Sequence, residues 1–333
     1  MRCGAGPHER ARILSLSYSS PPGQWLRPLT LPRPGRWRVL GEASREAGID
    51  DLTEGPFSDD GQSPRALIFD SGLGGLTVLA EVRRLRPDVE IVYVADDAAF
   101  PYGRLSESEL IARVETAIAR VAAKVKPDIV VIACNTASTL ALPRLRAVHP
   151  RLLFVGTVPA IKPAAQASRS RLISVLATPA TVARDYTKAL VRDHANGCEV
   201  TLVGSARLAP FAEQAIRGEA IDETEIAREI APCFVQRDGR RTDHIVLACT
   251  HFPLIADRLE RAAPWPVVFV DPAPAIARRL DALLPAPREP ASSAREGAAI
   301  FTSGLAPAPE LQKALRRYAL TFTPAAAIGL APA

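Results

Sequence analysis

Hydrophobic and polar positions divide this 333-residue chain near residue 65. Upstream, 1–64 is rich in Pro, Gly, Ser and Arg, lacks sustained periodicity and ends in an acidic stretch, DDLTEGPFSDDG. Such a segment buries too little apolar surface to offset its ordering entropy, so a disordered or loosely structured N-terminal extension is expected. Downstream, short apolar runs rich in β-branched residues recur at 66–69, 89–95, 128–133, 152–155, 171–176, 199–203, 244–248 and 266–270. Their hydrophobicity is continuous rather than alternating, as expected of strands covered on both faces of a parallel sheet.

Helical periodicity fills the intervals. The clearest case is 107–125, where Ser106 and Glu109 have capping-box spacing and Leu105 and Leu110 occupy the staple positions. Leu110, Val114, Ile118, Val121 and Val125 form one apolar stripe, and Pro127 ends the helix. Thr178-Pro179 has the form of another helix start. This alternation predicts the α/β class with parallel sheets. An internal echo refines it: IVVIACNTAS (129–138) and HIVLACTHFP (244–253) both place Ala, Cys and a Thr-bearing turn after a buried strand. Each half then presents one cysteine at a carboxyl strand end, where open α/β sheets carry their ligands. Two similar α/β domains related by a pseudo-twofold, with the site in the cleft between them, follow.

Composition removes several classes of function. At 47% hydrophobic and 23% charged the chain is of ordinary globular make-up, and no apolar run reaches the roughly 18 to 20 residues of a membrane span. The net charge of +5 is uneven: 1–40 holds seven Arg against Glu9 alone, 41–65 holds two Arg against seven acids, and the surplus beyond is only +4. A nucleic-acid partner is therefore not expected. Five cysteines without a CxxC pair suit free thiols in a reducing compartment, the cytoplasm. The five histidines show no zinc-type spacing with them, so no metal is expected. None of Lys124, Lys126, Lys162, Lys188 and Lys313 follows a strand in a Gly/Ser-rich turn, which disfavours pyridoxal phosphate.

A cysteine in a core strand is by default a small inert hydrophobe. Cys134 departs from that default because Asn135, Thr136 and Ser138 follow as polar turn or cap residues before a helix through 137–148. A thiol at a helix N-terminus has its thiolate stabilised by free N–H groups. Cys249 repeats the setting, with Thr250 and then His251 as a titratable neighbour. Cys198 and Cys233 lack such surroundings and read as structural. In DSGLGG (70–75) the glycines bring backbone N–H groups close to an anion, while Asp70 suits an ammonium group or a base that orients a thiol. Tyr102 in Pro101-Tyr102-Gly103 offers a hydroxyl or backbone to a carboxylate, or simply packs. Glu213, on a helix, reads from its own surroundings as an exposed acid.

Together FDSGLGGLTVL (69–79), YVADDAAFPYG (93–103), ACNTAS (133–138), LATPAT (176–181) and ACTHFPL (248–254) closely resemble the glutamate racemase family of the aspartate/glutamate racemase superfamily, with DPAPAIA (271–277) a looser match. The resemblance spans roughly 65 to 325. It implies that Cys134 and Cys249 are paired acid/base groups, assisted by Asp70 and His251, with Glu213 on the second cysteine's side. It implies substrate contacts from Asp70, Ser71, Tyr102, Gly103, Asn135, Thr136, Thr250 and His251, and a further one from Thr178. It also implies a discontinuous first domain, 65–158 plus 267–325, and a second domain, 159–266. The chain departs from the family at Ala248, where glycine is usual, and at Phe252, near a usual tyrosine, so a hydroxyl is lost there.

The implied activity is cofactor-independent racemisation of glutamate, supplying D-glutamate for peptidoglycan, with glutamate as the small-molecule partner and a homodimer left open. The alternatives are an aspartate or other amino-acid racemase, since pocket length sets the side chain, and a non-catalytic regulatory binding protein on the same fold. A decarboxylase of the superfamily needs only one cysteine, and both are present.

Overall fold

A computed structural model of the chain describes residues 12–13, 63–287 and 294–328. Most of the expected extension, 1–64, therefore lies outside the described residues. The parallel strands are β1 (Arg65–Asp70), β2 (Glu90–Ala95), β3 (Ile129–Ile132), β4 (Leu153–Gly156), β5 (Leu172–Ala177), β6 (Glu199–Gly204), β7 (His244–Ala248), β8 (Val268–Val270), β9 (Gly297–Phe301) and β10 (Leu320–Phe322). They form two sheets, ordered β10-β9-β2-β1-β3-β4 and β8-β7-β5-β6. Arg12–Ile13 adds a short strand beside β8 at the edge of the second sheet.

Both faces of the sheets are covered, which is why their strands read as unbroken apolar runs. In β1, Ala66 and Ile68 enter one core with the helices Leu76–Leu85 and Ala273–Asp281, while Leu67 and Phe69 enter another beneath Glu107–Val125 and Asn135–Val148. The second sheet is sandwiched in the same way: Ile245 and Leu247 face one core, Val246 and Ala248 the other.

The two sheets share a winding that decides where the site falls. In the first, the chain leaves β1 for β2 on one side and returns to β3 on the other; in the second, it leaves β5 for β6 and returns to β7. Each sheet thus has its order reversal at the carboxyl ends of one strand pair, where a crevice opens. Asp70 and Cys134 stand at the first reversal, Thr178 and Cys249 at the second.

Three sequence expectations are revised. The chain does not return to the first sheet at 267, because β8 still pairs with β7, and the crossing comes with the helix Ala273–Asp281. Strands β9 and β10 were not expected, since Ala- and Gly-rich GAAIF and three-residue LTF carry little β-propensity of their own. The helix after Cys134 starts at Asn135, so Asn135, Thr136 and Ser138 lie in its first turn rather than before it.

Candidate active site

One cavity lies between the two sheets. From the first sheet it receives Ser71 after β1, Tyr102 and Gly103 from the loop after β2, and Cys134, Asn135 and Thr136 after β3. From the second it receives Thr178 after β5, and Cys249, Thr250 and His251 after β7. The two thiols, distant in sequence, therefore face one space, each only 7% exposed. Asp70 and Glu213, also singled out by sequence, do not line the cavity. They stand behind it as buried carboxylates.

The DSGLGG loop joins the two halves. Gly72 N donates to Asp70 Oδ1 at 2.8 Å, Leu73 N to Glu213 Oε1 at 2.6 Å, and Gly74 N meets His251 Nε2 at 3.2 Å. Thr250 Oγ1 donates back to Asp70 Oδ2 at 2.9 Å. The loop does gather N–H groups, as its glycines predict, but the acceptors they meet are the protein's own carboxylates, Asp70 and Glu213. Glycine is required for the close approach: a Cβ on Gly74 would lie 2.5 Å from His251 Nδ1 and 2.6 Å from Thr250 Oγ1, and one on Gly72 would strike Glu213 Oε1. Thr136 Oγ1 completes the seam against Thr181 Oγ1 at 3.3 Å and Thr178 Oγ1 at 3.4 Å.

The cysteines differ in electrostatic setting. Burial, followed by the nearby Asp70 charge, pushes the Cys134 thiol up to about 12, against the opposing pull of the Ala137 N–H and the Ser71 hydroxyl. Cys134 is the N-cap of Asn135–Val148, closer to the helix than expected, and burial outweighs the pull of the helix terminus on its thiol. Cys249 instead precedes a short 3-10 turn, Phe252–Ile255, and its neighbour is His251, with Nδ1 3.9 Å from the sulfur. Burial opposes charge on His251, yet the Cys249 sulfur, Glu213 and Asp70 outweigh it and hold the imidazolium well above the usual histidine range. Burial likewise opposes charge on Glu213, but His251, the Leu73 N–H and Arg217 hold the carboxylate below its usual range. Burial dominates at Asp70 and raises it, with His251, the Gly72 N–H and Thr250 opposing.

Glu213 is therefore no exposed acid. It is 7% exposed, 3.0 Å from His251 Nε2, and paired through Oε2 with Arg217 at 2.9 Å. Phe252, where a hydroxyl was expected to be lost, is fully buried in the second core. Sequence reasoning missed Phe100, whose ring lies 5.3 Å from that of His251, and Ala209; both line the cavity. Their only sequence signal was adjacency, Phe100 to Pro101-Tyr102-Gly103 and Ala209 to the helix of Glu213. Among the described residues no group of three or more His, Cys, Asp or Glu side chains is placed to hold a metal ion, and no helix is long and apolar enough to cross a membrane.

Two thiols line one cavity between the sheets, each at the order reversal of its own parallel sheet, and the chain is of the amino-acid racemase class. The family model for Asp/Glu/hydantoin racemases matches residues 77–280. Glutamate racemase from Sinorhizobium medicae is 56% identical over 240 residues, 72% of this chain and 88% of that one, and the Brucella abortus enzyme is 56% identical over 220 residues, 66% and 79%. The crystal structure of Escherichia coli glutamate racemase with L-glutamate and the activator UDP-MurNAc-Ala superposes with a TM-score of 0.71 at 38% identity, covering 79% of this chain and 98% of that one. The chain belongs to the glutamate racemase family and is an isomerase.

Proposed function

We propose that the chain interconverts L- and D-glutamate without a cofactor, passing the Cα proton between Cys134 and Cys249. The observation that carries this reading is the placement of both thiols on one cavity from opposite sheets. Racemisation requires a proton to leave one face of Cα and another to arrive on the opposite face, which a single fixed base serves poorly.

In one direction a thiolate on Cys249 takes the Cα proton: the C–H bond breaks, an S–H bond forms, and the electron pair moves into the α-carboxylate. The S–H bond of Cys134 then breaks as its proton bonds to the other face of Cα, leaving the thiolate on Cys134. The opposite enantiomer runs the same steps with the roles exchanged. His251 is the cation that offsets a thiolate on Cys249, and Glu213, tied to Arg217, keeps that imidazolium charged. Cys134, buried beside Asp70, is the natural holder of a proton.

Asn135 is 2% exposed, lines the cavity, and its amide Nδ2 and Oδ1 have no hydrogen-bond partner among the described residues. A buried amide is costly unless satisfied, so it suits the polar groups of an amino acid. With Ser71, Thr136, Thr178 and Thr250 it holds the carboxylates and ammonium through fixed dipoles, which also stabilise charge developing on the α-carboxylate. The product feeds peptidoglycan synthesis in the cytoplasm.

Solvent-deuterium incorporation at Cα, started separately from L- and D-glutamate, tests the reading. Wild type should label Cα from either enantiomer, and Cys134→Ala and Cys249→Ala should each abolish net racemisation while remaining folded. Substantial racemisation by either alanine variant would contradict the two-base assignment.

A further inference from the structure

Asp96 follows β2 directly and is fully buried, yet it is not among the residues that line the cavity. Its carboxylate takes hydrogen bonds from three separate elements. Tyr102 Oη donates at 2.5 Å from the cavity loop, Arg113 Nε and Nη2 donate at 2.7 Å each from the helix Glu107–Val125, and Thr302 Oγ1 donates at 2.6 Å from the end of β9. The adjacent Asp97 repeats the tie, accepting from Ser303 N at 2.9 Å and Ser303 Oγ at 2.6 Å. A buried, bidentate Arg–carboxylate pair with its remaining lone pairs satisfied is a rigid anchor.

A phenol has one hydroxyl hydrogen, and that of Tyr102 is committed to Asp96. Burial and the Asp96 charge hold this phenol well above its usual range, so it stays protonated in place. What Tyr102 presents to the cavity is then its ring and the backbone of the turn Tyr102–Arg104, not a free donor.

We propose that Asp96 is a positioning residue for the reaction: clamped by Arg113 and Thr302, it fixes Tyr102 and the 100–103 wall of the cavity, and so sets affinity for the substrate. The proposal rests on the racemase reading of that cavity. Asp96 does not line the cavity that both cysteines face, so its loss should weaken binding more than chemistry.

The test is steady-state kinetics with both glutamate enantiomers on Asp96→Asn, Tyr102→Phe, their double variant and Thr302→Val, with unfolding midpoints measured alongside. Asp96→Asn sets an amide donor against existing donors and should raise KM about 10-fold or more, with kcat held within about threefold. Tyr102→Phe and Thr302→Val should move KM the same way by less, each remaining folded. The Asp96→Asn and Tyr102→Phe effects should be strongly non-additive, because both break one bond. Additive effects, or a collapse of kcat in Tyr102→Phe at unchanged KM, would overturn the assignment, the second by placing the hydroxyl in the chemistry. If Asp96→Asn does not fold, unchanged KM in both other variants overturns it. An inactive wild type sinks the racemase reading and this inference together, whereas an active wild type with additive variants sinks only the inference.

Discussion

Cys134 and Cys249 occupy matching strand ends but different chemistry, because a side chain's charge is decided by what packs on it from outside its own segment. Cys134 has Asp70 and a buried wall; Cys249 has His251, and behind it Glu213 and Arg217. Glu213→Gln removes the anion that holds His251 charged, so the imidazolium should be lost at lower pH. The alkaline limb of kcat/KM should then move to lower pH, with an overall loss of about 10- to 100-fold. L- and D-glutamate have equal free energies in water, so kcat/KM must fall equally in both directions, which a two-direction assay checks. Gly74→Ala forces a methyl group onto His251 and Thr250. A shift of this size at a catalytic pair should lower kcat/KM about 100-fold or more, with far-UV circular dichroism unchanged. The candidate cysteines and their polar followers were legible from local sequence; the Asp70–Thr250 and Leu73–Glu213 contacts were not, because their partners lie 180 and 140 residues apart.

At the scale of elements, local rules were reliable where the physics is local. The capping box forms as spaced: Ser106 accepts from Glu109 N while Glu109 Oε2 accepts from Ser106 N, and the expected stripe of Glu107–Val125 is buried. Ser106→Ala should cost about 1 kcal/mol, and Ile118→Ala, which opens a cavity in a fully buried stripe, about 3 kcal/mol. Urea unfolding measures both. Neither change should alter kcat, since neither residue lines the cavity. Strands β9 and β10 escaped notice because their pairing, rather than their residues, makes them strands: Gly297, Ala298 and Ala299 hold register against β10, and 298–301 against β2. The segment after Cys249 forms a 3-10 turn where its twin after Cys134 forms a helix, so the sequence echo overstated the likeness of the two halves.

The molecule as a whole is two parallel sheets of one winding, facing each other across the seam of glycine loop, carboxylates and threonines. Asp271, half-buried where the chain crosses back, is pushed up to about 6 by burial, the Ala273 N–H opposing and Glu81 adding to the rise. A raised carboxyl means that the folded state retains a proton already released by the unfolded chain. The contribution is therefore fully present below about pH 4 and is lost as pH rises through about 6. Asp271→Asn removes the dependence: melting temperature should rise at pH 8, by the equivalent of about 1 kcal/mol after discounting for partial solvation, and stay nearly unchanged at pH 4. Sequence by itself determined the α/β class, the strands β1 to β8, and which two cysteines stand at matching strand ends, because hydrophobic period, caps and turns are set within a few neighbouring residues. Only tertiary structure decided that the thiols share one cavity, that Glu213 is a buried partner of His251 rather than a surface acid, and that Asp96 holds the Tyr102 wall. Those facts depend on which distant segments the two sheets bring together and on the water they exclude there, and no local pattern encodes either.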